Sequence, residues 1–244
     1  MKSTYMVAWF IGVISSGLSA HSAAALINQT TGLSRYTAQS RCEFNDFEVY
    51  LPESYPSQKL PLVFIGHPKG GSARKEMKKW IQPAEAFPFI AVTLTLISSS
   101  KHSNYIPDDI EFVEEVIQRT TQSLRYDENH VIYTAFSGGG YAGWQIIATE
   151  HDELFTGLCF RSANCNAHLL DLPATWKHKP IYVFWSDNDA PFTRRQNPAL
   201  AAYLKEDLKA QKLKTEIIPG GGHRSRPEKF IQWLADISNQ AVPE

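Results

Sequence analysis

The chain has 244 residues, of which 43% are hydrophobic and 20% charged, with a formal net charge of −1. That composition suits one globular domain with a sizeable core. Its scattered Lys and Arg exclude a basic nucleic-acid stripe or a polybasic membrane patch. The first residues differ from the rest. Met1-Lys2-Ser3-Thr4 is short and basic, Tyr5 to Leu18 is mostly apolar, and Ala20-His21-Ser22-Ala23-Ala24-Ala25 is small. This is the order of a secretory signal peptide, and it predicts cleavage between Ala20 and Ala25. The expected division is therefore a signal over residues 1–24 and a single domain over 25–244. The apolar run is short and interrupted for a membrane span, so stable insertion after cleavage is not expected; an uncleaved anchor is the alternative. Export would place the chain in the periplasm or outside the cell. Three cysteines, Cys42, Cys159 and Cys165, are an odd number. They predict one structural disulfide, its pairing open, and one buried thiol; their spacing does not match a zinc site.

Ala25 to Arg41 is polar and lacks periodicity, which reads as a loosely held entry segment. In Phe44 to Leu51, Phe47, Val49 and Leu51 alternate with Glu48 and Tyr50, predicting a half-buried strand. Pro52 to Lys59 reads as a loop. Leu62-Val63-Phe64-Ile65 is a continuous apolar run, as in a central parallel strand covered on both faces. It leads into Gly66-His67-Pro68-Lys69-Gly70-Gly71-Ser72. Lys75 to Glu85 reads as a helix and Phe89 to Leu94 as the next strand. The Ser-rich stretch Ile97 to Tyr105, with Lys101 and His102, is placed at the rim of a site. Asp108 to Leu124 is an amphipathic helix with Ile110, Val113, Val116, Ile117 and Leu124 on one side, and Tyr126 to His130 is a turn.

Val131 to Phe136 is rich in β-branched and aromatic residues and predicts a buried strand. It meets Ser137-Gly138-Gly139-Gly140 and then a helix over Tyr141 to Glu150. A serine at a sharp strand-to-helix turn is lifted out of the sheet, and the residues around it must be small. Further on, Phe155 to Phe160 is a strand, Arg161 to Thr175 a loop, and Ile181 to Trp185 a strand ending at Ser186-Asp187-Asn188-Asp189. Asn197 and Pro198 read as the cap and first position of a helix lined by Ala201, Leu204 and Leu208. Thr215 to Ile218 is a final strand, followed by Pro219-Gly220-Gly221-Gly222-His223. Ser225-Arg226-Pro227-Glu228 has capping-box spacing, before a helix that buries Phe230, Ile231, Leu234 and Ile237. Alternating strands and helices predict a largely parallel sheet wrapped on both faces.

Ala135-Phe136-Ser137-Gly138-Gly139 resembles the nucleophile elbow G-x-S-x-G of the α/β-hydrolase superfamily, with alanine for the first glycine. The Asp-Asp helix start, the Tyr-Asp turn and the strand ending at the serine resemble the secreted polyhydroxybutyrate-depolymerase and feruloyl-esterase branch. The resemblance covers most of Phe44 to Ile237. It implies an α/β-hydrolase fold with a mostly parallel central sheet, helices on both faces and no large lid domain. It also implies a catalytic triad in the order Ser137, Asp189, His223. Serine needs a base to take its proton, and imidazole needs a carboxylate to fix its tautomer. Asp187 is the alternative acid. His223, after three glycines and just before the last helix, resembles the catalytic-histidine loop. Gly138 supplies one oxyanion N–H. The loop after the Leu62 strand supplies the other, from Lys69 or Gly70, because Pro68 has none. His67 is read as a brace for that loop.

The implied activity is hydrolysis of carboxylic esters through an acyl-enzyme on Ser137, without cofactor or metal. The implied substrate is a small-molecule or polymer-attached ester, not nucleic acid. A serine peptidase of the same fold and a non-catalytic binding protein on a hydrolase scaffold are the alternatives. Tyr141, Trp144, Trp185 and Phe192 are candidates either for an aromatic substrate wall or for the core.

Overall fold

A computed structural model describes residues 27–38, 46–96, 107–148, 151–165 and 171–238. The expected signal peptide, Cys42, the 97–105 rim and the C-terminal end of the Tyr141 to Glu150 helix lie outside the described residues. The eight strands are β1 Gly32–Thr37, β2 Asp46–Leu51, β3 Leu60–Gly66, β4 Ile90–Leu94, β5 Tyr126–Phe136, β6 Gly157–Arg161, β7 Ile181–Ser186 and β8 Leu213–Ile218. They form one sheet in the order β1-β2-β4-β3-β5-β6-β7-β8. Only the β1–β2 and β2–β4 pairings are antiparallel. Strands β3, β4, β6 and β7 are mostly apolar and buried along their length, and β5 is so from Val131 onward, because helices cover both faces of a parallel sheet.

The helices are α1 Ala73–Met77, α2 Ile81–Ala86, α3 Pro107–Ser123, α4 Gly139–Ala142, α5 Pro191–Glu206 and α6 Pro227–Ser238. The core divides into two layers across the sheet. On one face, α3 and α5 set Val113, Val116, Leu200 and Leu204 against Phe64, Tyr133 and Val183. On the other, α1, α2 and α6 set Met77, Ala84, Phe230 and Leu234 against Val63, Ile132 and Phe184. Trp80, Phe89 and Phe230 pack edge to face in that second layer, with ring centroids 5.4 to 6.2 Å apart. Among the described residues no helix is long and apolar enough to cross a membrane.

Five local expectations are corrected. The entry segment contains a real strand, β1, registered against β2 from Gly32↔Leu51 to Thr37↔Asp46. Lys75 to Glu85 is two short helices rather than one. Tyr126 to His130 belongs to β5: the register on β3 jumps from Pro61↔Asp127 to Leu62↔Val131, and the intervening residues bulge. An Asx turn, with Asp127 accepting the Asn129 N–H at 3.0 Å, makes that bulge. The helix after Ser137 gives way at Gly143–Ile147 to a π-helical turn. Finally, α5 begins at Pro191, so Pro198 lies inside it and Asn197 is no cap. Asn197 is buried instead and donates Nδ2 to the carbonyls of Ala163 and Thr193. In the capping-box segment, Pro227 is the first residue of α6.

Candidate active site

Strand β5 delivers the elbow. Phe136 ends the strand, Ser137 follows at φ 52°, and α4 starts two residues later. A left-handed serine is strained by roughly 1–2 kcal/mol and persists only where its surroundings hold it. Here its carbonyl accepts N–H groups from Gly140 at 3.1 Å and Asn164 at 2.8 Å, and its own N–H reaches the Ser162 carbonyl at 3.2 Å. Close packing dictates the glycines. A Cβ on Gly139 would lie 2.7 Å from the Gly66 carbonyl carbon and 2.8 Å from the His67 oxygen. Glycine lets the two backbones touch, and Tyr133 Oη locks the contact by donating to the Gly139 carbonyl at 2.8 Å.

The loop after β3 lies against the elbow. Pro68 and Gly71 close a turn, with the Gly71 N–H on the Pro68 carbonyl at 2.9 Å and Gly70 at φ 73° in the position that requires glycine. A Cβ on Gly138 would sit 3.2 Å from the Lys69 nitrogen, whereas one on Gly70 would meet nothing within 4 Å. The Lys69 amide therefore borders the backbone of Gly138, and Gly70 faces open space. His67 is fully buried and braces the loop from inside. Its Nδ1 meets the Pro68 carbonyl at 2.7 Å, and its Nε2 lies 2.9 Å from the Leu96 N–H. An imidazole that accepts at Nε2 is neutral with its proton on Nδ1. Burial agrees, lowering its pKa below 6.5 in spite of the Pro68 hydrogen bond.

Three consecutive residues after β7 hold the histidine loop. Asp187 accepts the Gly220 N–H at 2.8 Å, Asn188 Oδ1 accepts the Gly222 N–H at 2.6 Å, and Asp189 Oδ1 meets His223 Nδ1 at 2.5 Å. Gly220 and Gly222 take φ 62° and 63°, so the glycines turn the loop while the carboxylate-rich strand end anchors it. Of the two candidate acids, Asp189 is buried and faces the imidazole, while Asp187 is exposed and serves the loop backbone. Asp189 accepts further hydrogen bonds from Ser162 Oγ at 2.6 Å, the Ala190 N–H at 2.7 Å and the Ser186 N–H at 3.2 Å. Such a set fixes the plane of the carboxylate.

The His223 ring packs on Phe136, the residue before Ser137, with centroids 4.6 Å apart. Elbow, acid and imidazole thus converge at one end of the sheet. No hydrogen bond joins Ser137 Oγ to the imidazole among the described residues; such contacts are often long before substrate binds. Nδ1 is taken by Asp189, so Nε2 is the ring nitrogen turned away from that carboxylate.

Two further residues were not singled out from the sequence. Ser162, at φ 47°, follows β6 and supplies the hydroxyl on Asp189. Arg161 ends β6 wholly buried. It donates Nε to Thr134 Oγ1 at 2.8 Å and Nη1 to the Ser225 carbonyl at 3.0 Å and to the Ser225 hydroxyl. Its guanidinium lies over Trp80 at 4.7 Å and pairs with buried Glu76 at 3.7 Å. Ser225, expected as a cap, is thus a tether that fixes the chain two residues beyond His223.

Of the aromatic candidates, Tyr141, Trp144 and Trp185 are core residues, whereas Phe192 is 62% exposed. Cys159 is a buried free thiol whose pKa burial pushes up to about 12, so it is neither a disulfide partner nor a nucleophile. No group of three or more His, Cys, Asp and Glu stands ready to hold a metal among the described residues.

No family model matches the chain. Over 109 residues, 40% of its length, it is 30% identical to NocK of Nocardia uniformis subsp. tsuyamanensis, a protein named as an esterase; the match spans 31% of that relative. Solved structures resemble it over far more of the chain. A thermostable esterase superposes with TM-score 0.64 at 19% identity, covering 84% of this chain and 62% of that one. An esterase of Pyrobaculum calidifontis superposes with TM-score 0.64 at 14% identity, covering 86% of each. The deep-sea metagenomic α/β-hydrolase MGS-M1 gives TM-score 0.66 at 14% identity, covering 86% of this chain and all of that one. With its strand order, its single antiparallel β2 and a serine elbow after β5, the chain has the α/β-hydrolase fold.

Proposed function

We propose that the protein is a serine hydrolase of carboxylic esters, with Ser137 as nucleophile, His223 as base and Asp189 as the acid that orients it. The observation that carries this reading is the 2.5 Å contact of His223 Nδ1 with buried Asp189, stacked beside an elbow whose serine is held at positive φ. In the first step Ser137 Oγ attacks the ester carbonyl and His223 Nε2 takes its proton. The oxyanion develops against the backbone N–H groups of Gly138 and Lys69; the approach of Lys69 to Gly138 favours it over Gly70. His223 then returns the proton to the leaving alcohol. In the second step it activates water, which releases the acid and frees Ser137. Asp189 holds the imidazole in place and stabilises the imidazolium. One oxyanion donor is worth about 3 kcal/mol in such a site.

Structural neighbours named as esterases and the partial likeness to NocK support ester hydrolysis. The order of residues 1–24 supports export to the periplasm or beyond. The test is a panel of p-nitrophenyl and hydroxycinnamate esters run on wild type and Ser137→Ala. Turnover by wild type and its loss in the variant are expected; equal rates would overturn the nucleophile assignment.

A further inference from the structure

The backbone of Ser137 is gripped by the segment that follows β6. Its N–H donates to the Ser162 carbonyl at 3.2 Å, and its carbonyl accepts the Asn164 N–H at 2.8 Å. The same segment reaches the acid, because Ser162 Oγ donates to Asp189 Oδ2 at 2.6 Å. It lies hard against the elbow: a Cβ on Gly140 would overlap the Asn164 carbonyl oxygen and stand 2.9 Å from the Ala163 Cβ. What fixes residues 162–164 therefore helps to fix both the nucleophile and its acid.

Ser162 is anchored on β7, its N–H donating to the Phe184 carbonyl at 2.7 Å. Beyond it the chain has left the sheet, and there the anchor is Asn197 of α5. Its Nδ2 donates to the Ala163 carbonyl at 2.8 Å and to the Thr193 carbonyl at 3.1 Å. The Ala163 carbonyl and the Asn164 N–H belong to one planar peptide group. That group takes the Asn197 amide on its oxygen and gives its hydrogen to Ser137. Two hydrogen bonds and one rigid unit thus join α5 to the backbone of the serine.

Nothing within α5 calls for asparagine here. The residue is wholly buried, and asparagine is a poor helix former. Both partners of Nδ2 are acceptors, so the amide cannot be turned over. Oδ1 is left buried with no hydrogen-bond partner among the described residues. A buried acceptor without a donor is destabilising, and leucine would fill a similar volume without it. A residue that breaks local rules beside a site points to a role in that site. The role on the page is the Ser137 turn, whose φ of 52° persists only where its surroundings over-determine it.

We infer that Asn197 is a positioning residue for the nucleophile, a refinement that rests on the hydrolase reading above. It holds the 163–164 peptide, that peptide holds the Ser137 carbonyl, and the left-handed turn then presents Oγ. Without the Nδ2 donor the peptide can tilt and Oγ is presented off line. A misplaced nucleophile loses rate rather than binding.

The test compares two variants of one helix. Asn197→Leu keeps the approximate shape and removes the donor. Thr193→Val, one turn earlier, removes a buried hydroxyl that has no partner among the described residues, and so perturbs α5 without touching the anchor. The readouts are p-nitrophenyl acetate turnover and the rate at which a fluorophosphonate labels Ser137, with folding checked by circular dichroism. Asn197→Leu is expected to lower kcat about tenfold or more and to slow labelling in step, with KM within about twofold of wild type. Thr193→Val should leave both rates near wild type. An unchanged kcat in folded Asn197→Leu, whatever its melting temperature, overturns the inference, and so does an equal fall in Thr193→Val. Should Asn197→Leu not fold, wild type decides: the Asn197 Nδ2 resonance in 15N spectra is expected to shift when Ser137 is phosphonylated, and an unmoved resonance overturns the inference. Wild type that neither hydrolyses p-nitrophenyl acetate nor labels at Ser137 would be a failure of the hydrolase reading itself.

Discussion

Ser162 Oγ donates to Asp189 Oδ2 at 2.6 Å, on the carboxylate oxygen opposite the one that meets His223. The acid is thereby clamped from both sides, by a strained serine after β6 and by the imidazole. Removing the hydroxyl leaves Oδ2 with the Ser186 N–H alone, at 3.2 Å, and loosens the carboxylate beside Nδ1. Ser162→Ala is expected to lower kcat about tenfold, the worth of one charge-assisted hydrogen bond, with KM little changed. Steady-state kinetics check this, and an unchanged kcat would show that Ser162 does not position the acid.

Arg161 and Glu76 form a buried pair, and burial of the arginine pushes its pKa down against the support of Glu76. Removing the cation leaves Glu76 its closer partners, Lys79 Nζ at 2.7 Å and Trp80 Nε1 at 3.2 Å, but takes the donor from Thr134 and Ser225. Arg161→Met is expected to cost about 1–3 kcal/mol, and the double variant with Glu76→Met to recover little of it. Activity should fall as well, because Ser225 has lost its tether near His223. Denaturant titration and ester turnover on the single and double variants separate the two effects.

Gly139 and Gly70 make opposite demands. At Gly139 an added methyl meets backbone on β3 that has nowhere to go; at Gly70 it meets open space but a φ of 73°. Gly139→Ala is expected to destabilise by about 1–3 kcal/mol or more through overpacking, and to abolish turnover. Gly70→Ala should cost about 1 kcal/mol and spare much of the activity. Thermal melts and kinetics on both variants provide the comparison, and the reverse ranking would contradict the packing described.

Glu216 on β8 gives the acid limb of the stability curve a specific contributor. Partial burial works against its ionisation, but hydrogen bonds from Lys229 Nζ and Tyr182 Oη outweigh it and hold its pKa below 4.5. A carboxyl depressed by folding stabilises the native state above its unfolded pKa, and that contribution is lost as pH falls through the folded value. Glu216→Gln is expected to be less stable than wild type at pH 7, by under about 1 kcal/mol because the pair is near the surface. The two curves should converge in acid. Denaturation at a series of pH values checks this; a gap that stays constant down to acid pH would contradict it.

Much of the fold was legible because buried parallel strands such as Leu62–Ile65 and Ile181–Trp185 are continuous apolar runs. The small residues of an elbow are equally visible, since backbone contact dictates them. Asp189 over Asp187 was the favoured reading for the acid, and Asp189 is the buried one of the two. The misses have physical causes. Strand β1 is an edge strand of alternating partial exposure, and Gly-Leu-Ser-Arg-Tyr-Thr offers no apolar stripe to detect. Pro198 looked like a helix start. It sits in the interior of α5, on an exposed side shared with Arg194, where water can take the carbonyl that its missing N–H leaves free. Ser162 and Arg161 gain their roles only when β6 is set between β5 and β7, a tertiary fact that no local pattern encodes.

The most direct measurement is mass spectrometry of the protein after reaction with a fluorophosphonate, on wild type, Ser137→Ala and His223→Ala. The account predicts a single adduct on the peptide containing Ser137, absent in Ser137→Ala and slowed at least about a hundredfold in His223→Ala, in line with the worth of a general base. An adduct on another residue, or labelling of Ser137 at an undiminished rate without the imidazole, would contradict it.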